Sequence, residues 1–424
     1  MKPNSTLAWL RTSAQMATMV LPAASAESAT SHLHLNPPHR AEHIGSLLRP
    51  AALLEKRAQF EAKLCTSEDL NKAEDEAIKD AVALQKELGL KTITDGEMRR
   101  GAYYEGMFEL LEGMEVIVRP IETFKSYLPY VQFWLGIGLP AVPTVYTSGK
   151  IKWRAPGIHT KEFEYLKSLV PPQDVKNLKI TLSGPTWMHM RHGPEETYDH
   201  SVYKNDDEYF ADLIQAFREE IRALYSLGCR FIQFDDPTFA FYCAESTVTG
   251  MKEAGVDSEK LLDQYIKLFN AILEDRPADL TVALHTCRGN YKGIHFCSGG
   301  YDPIAYKLFN DLNIDVYYLE YDTERAGTFA PLKFVPLNKA VVLGLVTSKH
   351  GELETVEEIQ ELVEEACDTM LEGPFKRSRA YALNQICISP QCGFASVAEG
   401  NPITHEDQRQ KLSLVVRAAK QTLE

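Results

Sequence analysis

The chain has 424 residues, of which 44% are hydrophobic and 25% are charged, a composition typical of a globular protein with a large core. Its formal net charge of −14 disfavours nucleic acid and anionic membranes as partners, because both would repel it, and favours a small-molecule partner. No apolar run approaches the length of a transmembrane helix.

The cysteines and the N-terminal segment bear on the cellular compartment. Eight cysteines are scattered along the chain without a compact disulfide framework, so we expect reduced thiols and a cytoplasmic protein. The first 35 residues are rich in Ser, Thr and Ala and contain one acid, Glu27. We predict that residues 1–38 are a flexible tail, with a targeting segment, including a mitochondrial one, as the alternative. The sequence does not fix the oligomeric state.

The predicted elements begin with an extended segment at residues 42–50, which we interpret as the first strand. An amphipathic helix follows, with Thr66 or Ser67 as its cap, and it ends at Gly89. The second predicted strand is residues 91–95.

Residues 115–165 then interrupt the pattern with five prolines and several aromatic residues. Within this stretch, residues 145–153 predict a hairpin. We interpret the whole stretch as an insertion between strands two and three that covers one mouth of the fold.

Six further apolar runs, each ending in polar residues, complete a set of eight predicted strands. They are residues 178–185, 229–237, 280–287, 314–322, 340–349 and 383–393. Helical patterns lie at residues 205–227, 257–275, 302–311, 354–371 and 404–423.

Runs that are apolar throughout suit a parallel sheet buried on both faces. Residues 39–424 are therefore predicted to form one (β/α)8 TIM barrel, an α/β fold. The alternative is a doubly wound open sheet, but no glycine-rich phosphate loop follows any strand.

In such a barrel, the polar residues that end the strands meet at one mouth, where active sites lie. His285 and Cys287 end the fifth strand. Because they are two residues apart on an extended chain, both side chains point in the same direction. With Glu320 from the sixth strand and Cys392 after the eighth, they would form a tetrahedral zinc site, since zinc prefers imidazole and thiolate ligands. Two alternatives stay open: Cys387 competes as the second sulfur, and buried cysteines also serve simply as small apolar residues.

Other polar residues at this mouth have both a binding and a structural interpretation. Asp235 is placed to hold a cationic amine and Asp236 to cap the loop before Pro237, with turn chemistry for both as the alternative. Glu97 is either a binding carboxylate or the partner of a nearby arginine.

The same ambiguity applies to residues after the third and seventh strands. Lys349 and His350 would act as an acid or an anion contact, or lie solvated at the end of a loop. Trp187 would stack on a planar ligand or pack in the core.

Taken together, these segments resemble the catalytic barrel of cobalamin-independent methionine synthase. The resemblance runs from about residue 41 to the last residue and rests on eight motifs in the same order. These motifs are HIGSLLRP, TDGEMRR, LSGPTWM, FIQFDDP, LHTCRGN, YLEYD, VVLGLVTSK and ISPQCGF. The resemblance implies a zinc-dependent thiol methyltransferase on a (β/α)8 barrel, in the superfamily that also contains uroporphyrinogen decarboxylase.

The resemblance also implies roles for individual residues. The zinc ligands of the family fall on His285, Cys287, Glu320 and Cys392. Its homocysteine contacts fall on Ile44, Ser46, Glu97 and Asp235. In this interpretation Glu97 and Asp235 hold the amino group, while residues 44–46 hold the carboxylate.

Two features depart from the family pattern. The larger members carry a second, N-terminal barrel that has no counterpart in these 424 residues. Their acid histidine after strand seven is replaced by the segment TSKHG, with Lys349 in the matching place and His350 beside it. Either residue is therefore a candidate proton donor.

The expected reaction is methylation of homocysteine to methionine from a methyltetrahydrofolate-type donor, with zinc activating the acceptor thiol. Three alternatives stay open. They are zinc-dependent alkyl transfer with another thiol or donor, such as an epoxide or a corrinoid, a metal-free decarboxylase-like barrel, and a non-catalytic binding protein.

Overall fold

The computed structural model describes residues 36–424, so the predicted N-terminal tail lies outside the described residues except at its last three positions. Of these, Pro37 and Pro38 are buried. The Thr281 hydroxyl donates a hydrogen bond of 3.3 Å to the carbonyl oxygen of Pro37. Pro37 and Pro38 therefore belong to the folded domain, although the sequence predicted that the domain begins at residue 39.

The strands fall into a small hairpin sheet and a larger parallel sheet. They are β1 (Glu112–Pro120), β2 (Ala141–Lys152), β3 (Lys179–Ser183), β4 (Phe231–Asp235), β5 (Thr281–Thr286), β6 (Val316–Glu320), β7 (Ala340–Val346) and β8 (Ile386–Pro390). Strands β3 to β8 pair in parallel, in chain order, and confirm the six later strand predictions. Their apolar runs are buried almost throughout, as a parallel sheet covered on both faces requires.

The register of this sheet brings polar strand ends together. Asp235 at the end of β4 pairs with His285 on β5, and Glu320 at the end of β6 pairs with Gly344 on β7. Because parallel strands present their carboxyl ends at one edge, these three polar side chains belong to the same mouth.

The first two predicted strands do not form ladders, which corrects that prediction. Each segment makes a single parallel bridge, Ala41 with Ile388 on β8 and Ile93 with Leu178 beside β3. The Leu47 amide also donates to the carbonyl oxygen of Gly96, at 3.1 Å. The eight segments therefore follow one another in cyclic order, consistent with a barrel whose ladder is interrupted at two positions.

Side chains replace the missing ladder bonds of the first segment. Lys179 Nζ donates to the His43 carbonyl, Gln233 Nε2 donates to the Ile44 carbonyl at 2.7 Å, and Thr94 Oγ1 donates to the Gly45 carbonyl at 2.8 Å. These buried backbone groups are satisfied without a neighbouring strand.

Helices cover the sheet. They are α1 (Ala51–Glu61), α2 (Ser67–Glu87), α3 (Pro129–Gly136), α4 (Thr160–Ser168), α5 (Trp187–Thr197), α6 (Asp206–Ser226), α7 (Thr238–Phe241), α8 (Glu245–Glu253), α9 (Ser258–Leu273), α10 (Val356–Leu371), α11 (Arg379–Asn384) and α12 (His405–Leu423). The predicted helix 302–311 is irregular, with a π-helical turn at Lys307–Asp311. Thr66 caps α2 in a reciprocal bond with Asp69, which confirms the predicted start of that helix.

The predicted insertion is present, but its hairpin differs from the predicted one. Residues 145–153 do not fold back on themselves, because most of them belong to one strand, β2. That strand pairs antiparallel with β1, and α3 lies between the two strands in the chain. The hairpin partner is too distant in sequence for local turn signals to reveal it.

Across residues 36–424, the helices are too short or too polar to cross a lipid bilayer.

Two buried histidines make stability depend on pH. Burial and the nearby cations Lys179 and Arg191 lower the pKa of His43 to about 3 and that of His192 to about 2. Both rings therefore stay neutral in the folded state, whereas an unfolded chain takes up a proton at each below about pH 6.5. The free energy of unfolding should fall as the pH falls, because the unfolded state binds more protons.

The contribution of His192 can be isolated with His192→Gln, which keeps an acceptor for the Thr144 hydroxyl, now 2.8 Å from the ring. Between pH 7.5 and 5.5 the wild type should lose about 1.4 kcal/mol more than the variant, measured by urea unfolding at each pH. Equal losses in the two proteins would mean that His192 does not stay neutral.

Candidate metal and substrate site

Four potential metal ligands meet at the carboxyl edge of the sheet. His285 and Cys287 lie at the end of β5, Glu320 ends β6, and Cys392 follows β8. One ligand atom from each lies within 4.8 Å of the others. Both cysteines are free thiols, with their sulfur atoms 3.4 Å apart. Cys387 is buried in β8 and does not belong to this cluster.

The donor set fits a zinc ion. Two thiolates bound to zinc at tetrahedral angles lie roughly 3.8 Å apart, from Zn–S bonds of about 2.3 Å, so the observed sulfur separation needs little adjustment. His285 Nδ1 lies 3.3 Å from the Tyr318 carbonyl oxygen, whereas its Nε2 is buried without a hydrogen-bond partner. One imidazole nitrogen is therefore oriented by the backbone and the other is available as a ligand.

The acidities of three ligands depend on one another. The hydrogen bond from the Cys287 thiol lowers the pKa of Cys392 well below its ordinary value and raises the pKa of Cys287. Burial lowers the pKa of His285, but the adjacent Cys392 thiolate outweighs this effect and raises that pKa to about 9. His285 and Cys287 thus hold protons beside a thiolate, and these are the protons that a divalent cation displaces on binding.

Glu320 is held from both sides. The Arg288 amide donates to its Oε1 at 3.1 Å, and Arg325 Nη2 donates to its Oε2 at 3.2 Å. Arg325 also pairs with Asp322 at 2.8 Å, which fixes the guanidinium. The sequence reasoning missed this role of Arg325, because no spacing rule connects it to Glu320.

The cluster opens into a cavity of about 940 Å³, including its mouth. His285, Cys287 and Cys392 form part of its lining. The residues predicted to contact the substrate also line it, and they are Ile44, Ser46, Glu97, Asp235 and Trp187. The structure therefore brings the predicted binding residues and three of the four predicted metal ligands to the wall of one cavity.

Two buried carboxylates face this cavity. Glu97 Oε1 accepts a hydrogen bond of 2.8 Å from Thr181, but its Oε2 is buried without a partner. Asp235 Oδ1 accepts a hydrogen bond of 2.7 Å from Gln233 Nε2. Burial raises the pKa of Glu97 and raises that of Asp235 to about 7. A cationic group between them would restore both to the ionised form.

The backbone at Glu97 is strained in a way that points to a function. Its φ of 57° places a non-glycine residue in the left-handed region, held by a 2.8 Å bond from its amide to Asp95. The carboxylate of Asp236 has a different role. It accepts hydrogen bonds from the Thr238 amide at 3.0 Å and from the Thr186 hydroxyl at 2.6 Å, so it caps the loop as predicted.

The two candidate proton donors occupy different places. Lys349 Nζ donates to the Gly289 carbonyl at 3.0 Å and to Asn290 Oδ1 at 3.1 Å. Both acceptors belong to residues that line the cavity. His350 is exposed and does not line it.

Aromatic side chains form much of the wall of the cavity, and the sequence analysis named only one of them, Trp187. The others are Tyr103, Tyr104, Tyr130, Trp134, Phe241, Tyr291 and Phe296. Tyr103 and Tyr104 lie in the segment between the predicted second strand and the insertion, while Tyr130 and Trp134 lie in α3 of the insertion. The aromatic content of the insertion was the available signal for this wall.

Comparisons with known proteins identify the family of this chain. Residues 173–421 match the family described as "Cobalamin-independent synthase, Catalytic domain". The Bacillus subtilis protein YxjH, described as uncharacterized, is 35% identical over 386 residues, which cover 90% of this chain and 94% of that protein. The chain belongs to the cobalamin-independent methionine synthase family.

Other members of the family extend this relationship. A methionine synthase from Saccharolobus solfataricus is 25% identical over 380 residues, covering 87% of this chain and 95% of that protein. A crystal structure of a putative vitamin-B12 independent methionine synthase from Listeria monocytogenes has a TM-score of 0.67 and 30% identity. That match covers 91% of this chain and 98% of the other. Membership in the methionine synthase family makes this chain a methyltransferase with the catalytic fold of those enzymes.

Proposed function

We propose that this methyltransferase transfers a methyl group to the sulfur of homocysteine from a methyltetrahydrofolate-type donor, in a zinc-dependent reaction. The observation that carries the proposal is one cavity lined by both a zinc-type ligand cluster and two buried, incompletely paired carboxylates. The cluster suits a sulfur atom, and the carboxylates suit an ammonium group. A thiol-bearing amino acid has both.

Glu97 and Asp235 would hold the amino group of the acceptor. Its ammonium would supply the hydrogen-bond donor that Glu97 Oε2 lacks. Ser46 and the backbone at Ile44 would hold the carboxylate, since both residues line the cavity. This orientation directs the thiol of homocysteine towards His285 and the two cysteines.

The four ligand residues would hold the zinc ion, which supplies the Lewis acidity that keeps the acceptor sulfur deprotonated at neutral pH. Arg325 and the Arg288 amide keep Glu320 in place during the reaction. The sulfur of homocysteine attacks the methyl carbon as the bond from carbon to the donor nitrogen breaks. The nitrogen then takes a proton, and Lys349 is the candidate donor because its Nζ contacts the cavity-lining residues Gly289 and Asn290.

The cavity does not favour a decarboxylase that binds several carboxylates. Such an enzyme needs lysine or arginine side chains in the wall of its substrate cavity. Among residues 36–424, no lysine or arginine lines this cavity. A different thiol or methyl donor would use the same ligand cluster, so the choice of donor and acceptor is a matter for direct assay.

The test is methionine formation by the purified chain, detected by mass spectrometry, with homocysteine and 5-methyltetrahydrofolate. We expect product from zinc-loaded protein and none after the metal is removed with a chelator, with recovery on adding zinc. Zinc-loaded protein that makes no methionine from this donor, in its mono- or triglutamate form, would contradict the donor assignment. Activity that survives complete zinc removal would contradict the metal dependence.

Replacing Lys349 should slow the reaction, whereas replacing His350 should not. Lys349→Met removes the proposed proton donor, and general acids contribute at least about 10²-fold to rate. We expect kcat to fall by roughly that factor with zinc content unchanged, and His350→Ala to stay within about twofold because that side chain is exposed. The opposite pattern would assign the proton transfer to His350.

A further inference from the structure

Each of the two carboxylates that line the cavity is held by one neutral side chain of the parallel sheet. Thr181 Oγ1 donates a hydrogen bond of 2.8 Å to Glu97 Oε1, and Gln233 Nε2 donates one of 2.7 Å to Asp235 Oδ1. Thr181 on β3 and Gln233 on β4 are partners in the register of the sheet, so the two donors lie side by side. Both are buried, and neither lines the cavity. They can therefore act on a bound substrate only through the carboxylates.

Each of these donors is held in turn by a buried cation. Arg100 Nη1 donates to Thr181 Oγ1 at 3.1 Å, and Lys179 Nζ donates to Gln233 Oε1 at 2.8 Å. Arg100 is 4% exposed, and Lys179 is fully buried. A bond accepted from a cation occupies a lone pair of the Thr181 oxygen and leaves its single proton for Glu97. The two chains of hydrogen bonds therefore run in the same direction, from a cation through a neutral group to a carboxylate.

The Gln233 amide has one favourable orientation. Its oxygen faces the Lys179 ammonium, while its nitrogen donates to Asp235 and, at 2.7 Å, to the Ile44 carbonyl. Rotating the amide by half a turn would place its N–H groups against an ammonium and its oxygen against two acceptors. Because the amide is fixed, the carboxylate oxygen that it binds is fixed as well, and a preorganised group binds a ligand more tightly than a mobile one.

Across residues 36–424, no other side chain donates a hydrogen bond to either carboxylate. The backbone at residues 44–46, by contrast, has a restraint of its own, since Thr94 donates to the Gly45 carbonyl at 2.8 Å. Loss of Thr181 or Gln233 should therefore disturb the groups that would bind an ammonium and spare those that would bind the carboxylate of the acceptor.

We propose that Thr181 and Gln233 are positioning residues, which orient Glu97 and Asp235 towards the amino group of the acceptor and thereby determine a preference for amino-acid thiols. This inference rests on the proposed function, because it takes a thiol-bearing amino acid as the acceptor. Since neither residue contacts the substrate, the effect of each should depend on the carboxylate that it holds.

Binding of two thiols tests the proposal without requiring turnover. The probes are homocysteine and 4-mercaptobutyrate, which has the same thiol and carboxylate but no amino group, titrated into zinc-loaded protein by calorimetry. Thr181→Val and Gln233→Met each remove the donor and nearly keep the volume of the side chain. We expect each to weaken homocysteine binding by about tenfold, as for a lost hydrogen bond to a charged group, and 4-mercaptobutyrate binding by less than about twofold.

Double variants show whether the effect passes through the carboxylates. In an Asp235→Asn background, Gln233→Met should change homocysteine affinity by less than about twofold, because the group that it positions is already lost. Thr181→Val should behave in the same way in a Glu97→Gln background. A tenfold loss that persists in both backgrounds would overturn the proposal.

The chain offers a matched control for Gln233. Gln385 is also a fully buried glutamine, but its Nε2 donates to the backbone carbonyls of Pro336 and Lys339, and it does not line the cavity. Gln385→Met should leave both affinities unchanged. If Gln233→Met does not fold, Gln233→Asn keeps a shorter amide and should lose homocysteine affinity to an intermediate degree.

The outcomes separate this inference from the proposed function. Equal losses of affinity for the two thiols in the folded variants would overturn the positioning role alone. Wild-type protein that binds homocysteine no more tightly than 4-mercaptobutyrate would overturn both the acceptor assignment and this inference. Methionine formation is scored separately, so selective homocysteine binding without methyl transfer would reject the proposed reaction and leave the positioning role supported.

Discussion

Cys392→Ala should leave the protein almost free of zinc and without measurable methyl transfer. Four-ligand zinc sites in small domains bind with about 10–16 kcal/mol, so losing one thiolate should cost roughly 3–4 kcal/mol, or about 150- to 900-fold in affinity. The pKa of the Cys392 thiol is also lowered well below its ordinary value, whereas the pKa values of His285 and Cys287 are raised. Cys392 is therefore the thiolate of the cluster before metal binds. Zinc per chain, measured by mass spectrometry of digested protein, should fall from about one to near zero.

The chain offers a matched control for this substitution. Cys387 lies five residues earlier, is buried in β8, and takes no part in the ligand cluster. Cys387→Ala should retain about one zinc per chain and most of the activity, at a small cost in stability for a lost sulfur atom. A Cys392→Ala protein that keeps both its zinc and its activity would refute the ligand assignment, and zinc loss from Cys387→Ala would indicate a general folding effect.

Asp235→Asn should change which thiols the enzyme accepts. Removing one partner of a buried charge pair costs about 2–5 kcal/mol, so kcat/KM for homocysteine should fall by about 30-fold or more. The analogue 4-mercaptobutyrate keeps the thiol and carboxylate but lacks the amino group, and its kcat/KM should change by less than about threefold. The ratio of the two values is the measurement, because it cancels any loss of active protein.

The neighbouring residue provides the control. Asp236 is also buried, but its carboxylate accepts hydrogen bonds from Thr186 and Thr238, and the residue does not line the cavity. Asp236→Asn should leave the ratio for the two thiols unchanged, even if it lowers stability. If Asp235→Asn lowers kcat/KM by the same factor for both thiol substrates, then Asp235 does not recognise the amino group.

The later part of the fold was predictable from sequence because its signals are local. Each of β3 to β8 is a continuous apolar run that ends in polar residues, and the two-residue spacing of His285 and Cys287 gives their common direction. The partners Glu320 and Cys392 lie on other strands, so residue chemistry alone left Cys387 as a competitor. The family resemblance, rather than spacing, distinguished the two cysteines.

The remaining features depend on contacts that a sequence does not display. The segment at residues 42–50 resembles a strand, yet its carbonyl groups are taken by Lys179, Gln233 and Thr94, which lie up to about 190 residues away. The outward direction of His350 depends on the turn after β7. Arg325 gave no signal, because an arginine in a sequence is read as a surface residue until its surroundings are known.

The order of the site residues along the chain has a consequence for biosynthesis. Ile44 and Ser46 precede His285, Cys287 and Glu320 in the chain, and Cys392 follows them all. A nascent chain therefore displays three of the proposed metal ligands before the fourth has been synthesised. High-affinity loading of the proposed zinc ion would wait for Cys392, and chains truncated before β8 would bind it weakly.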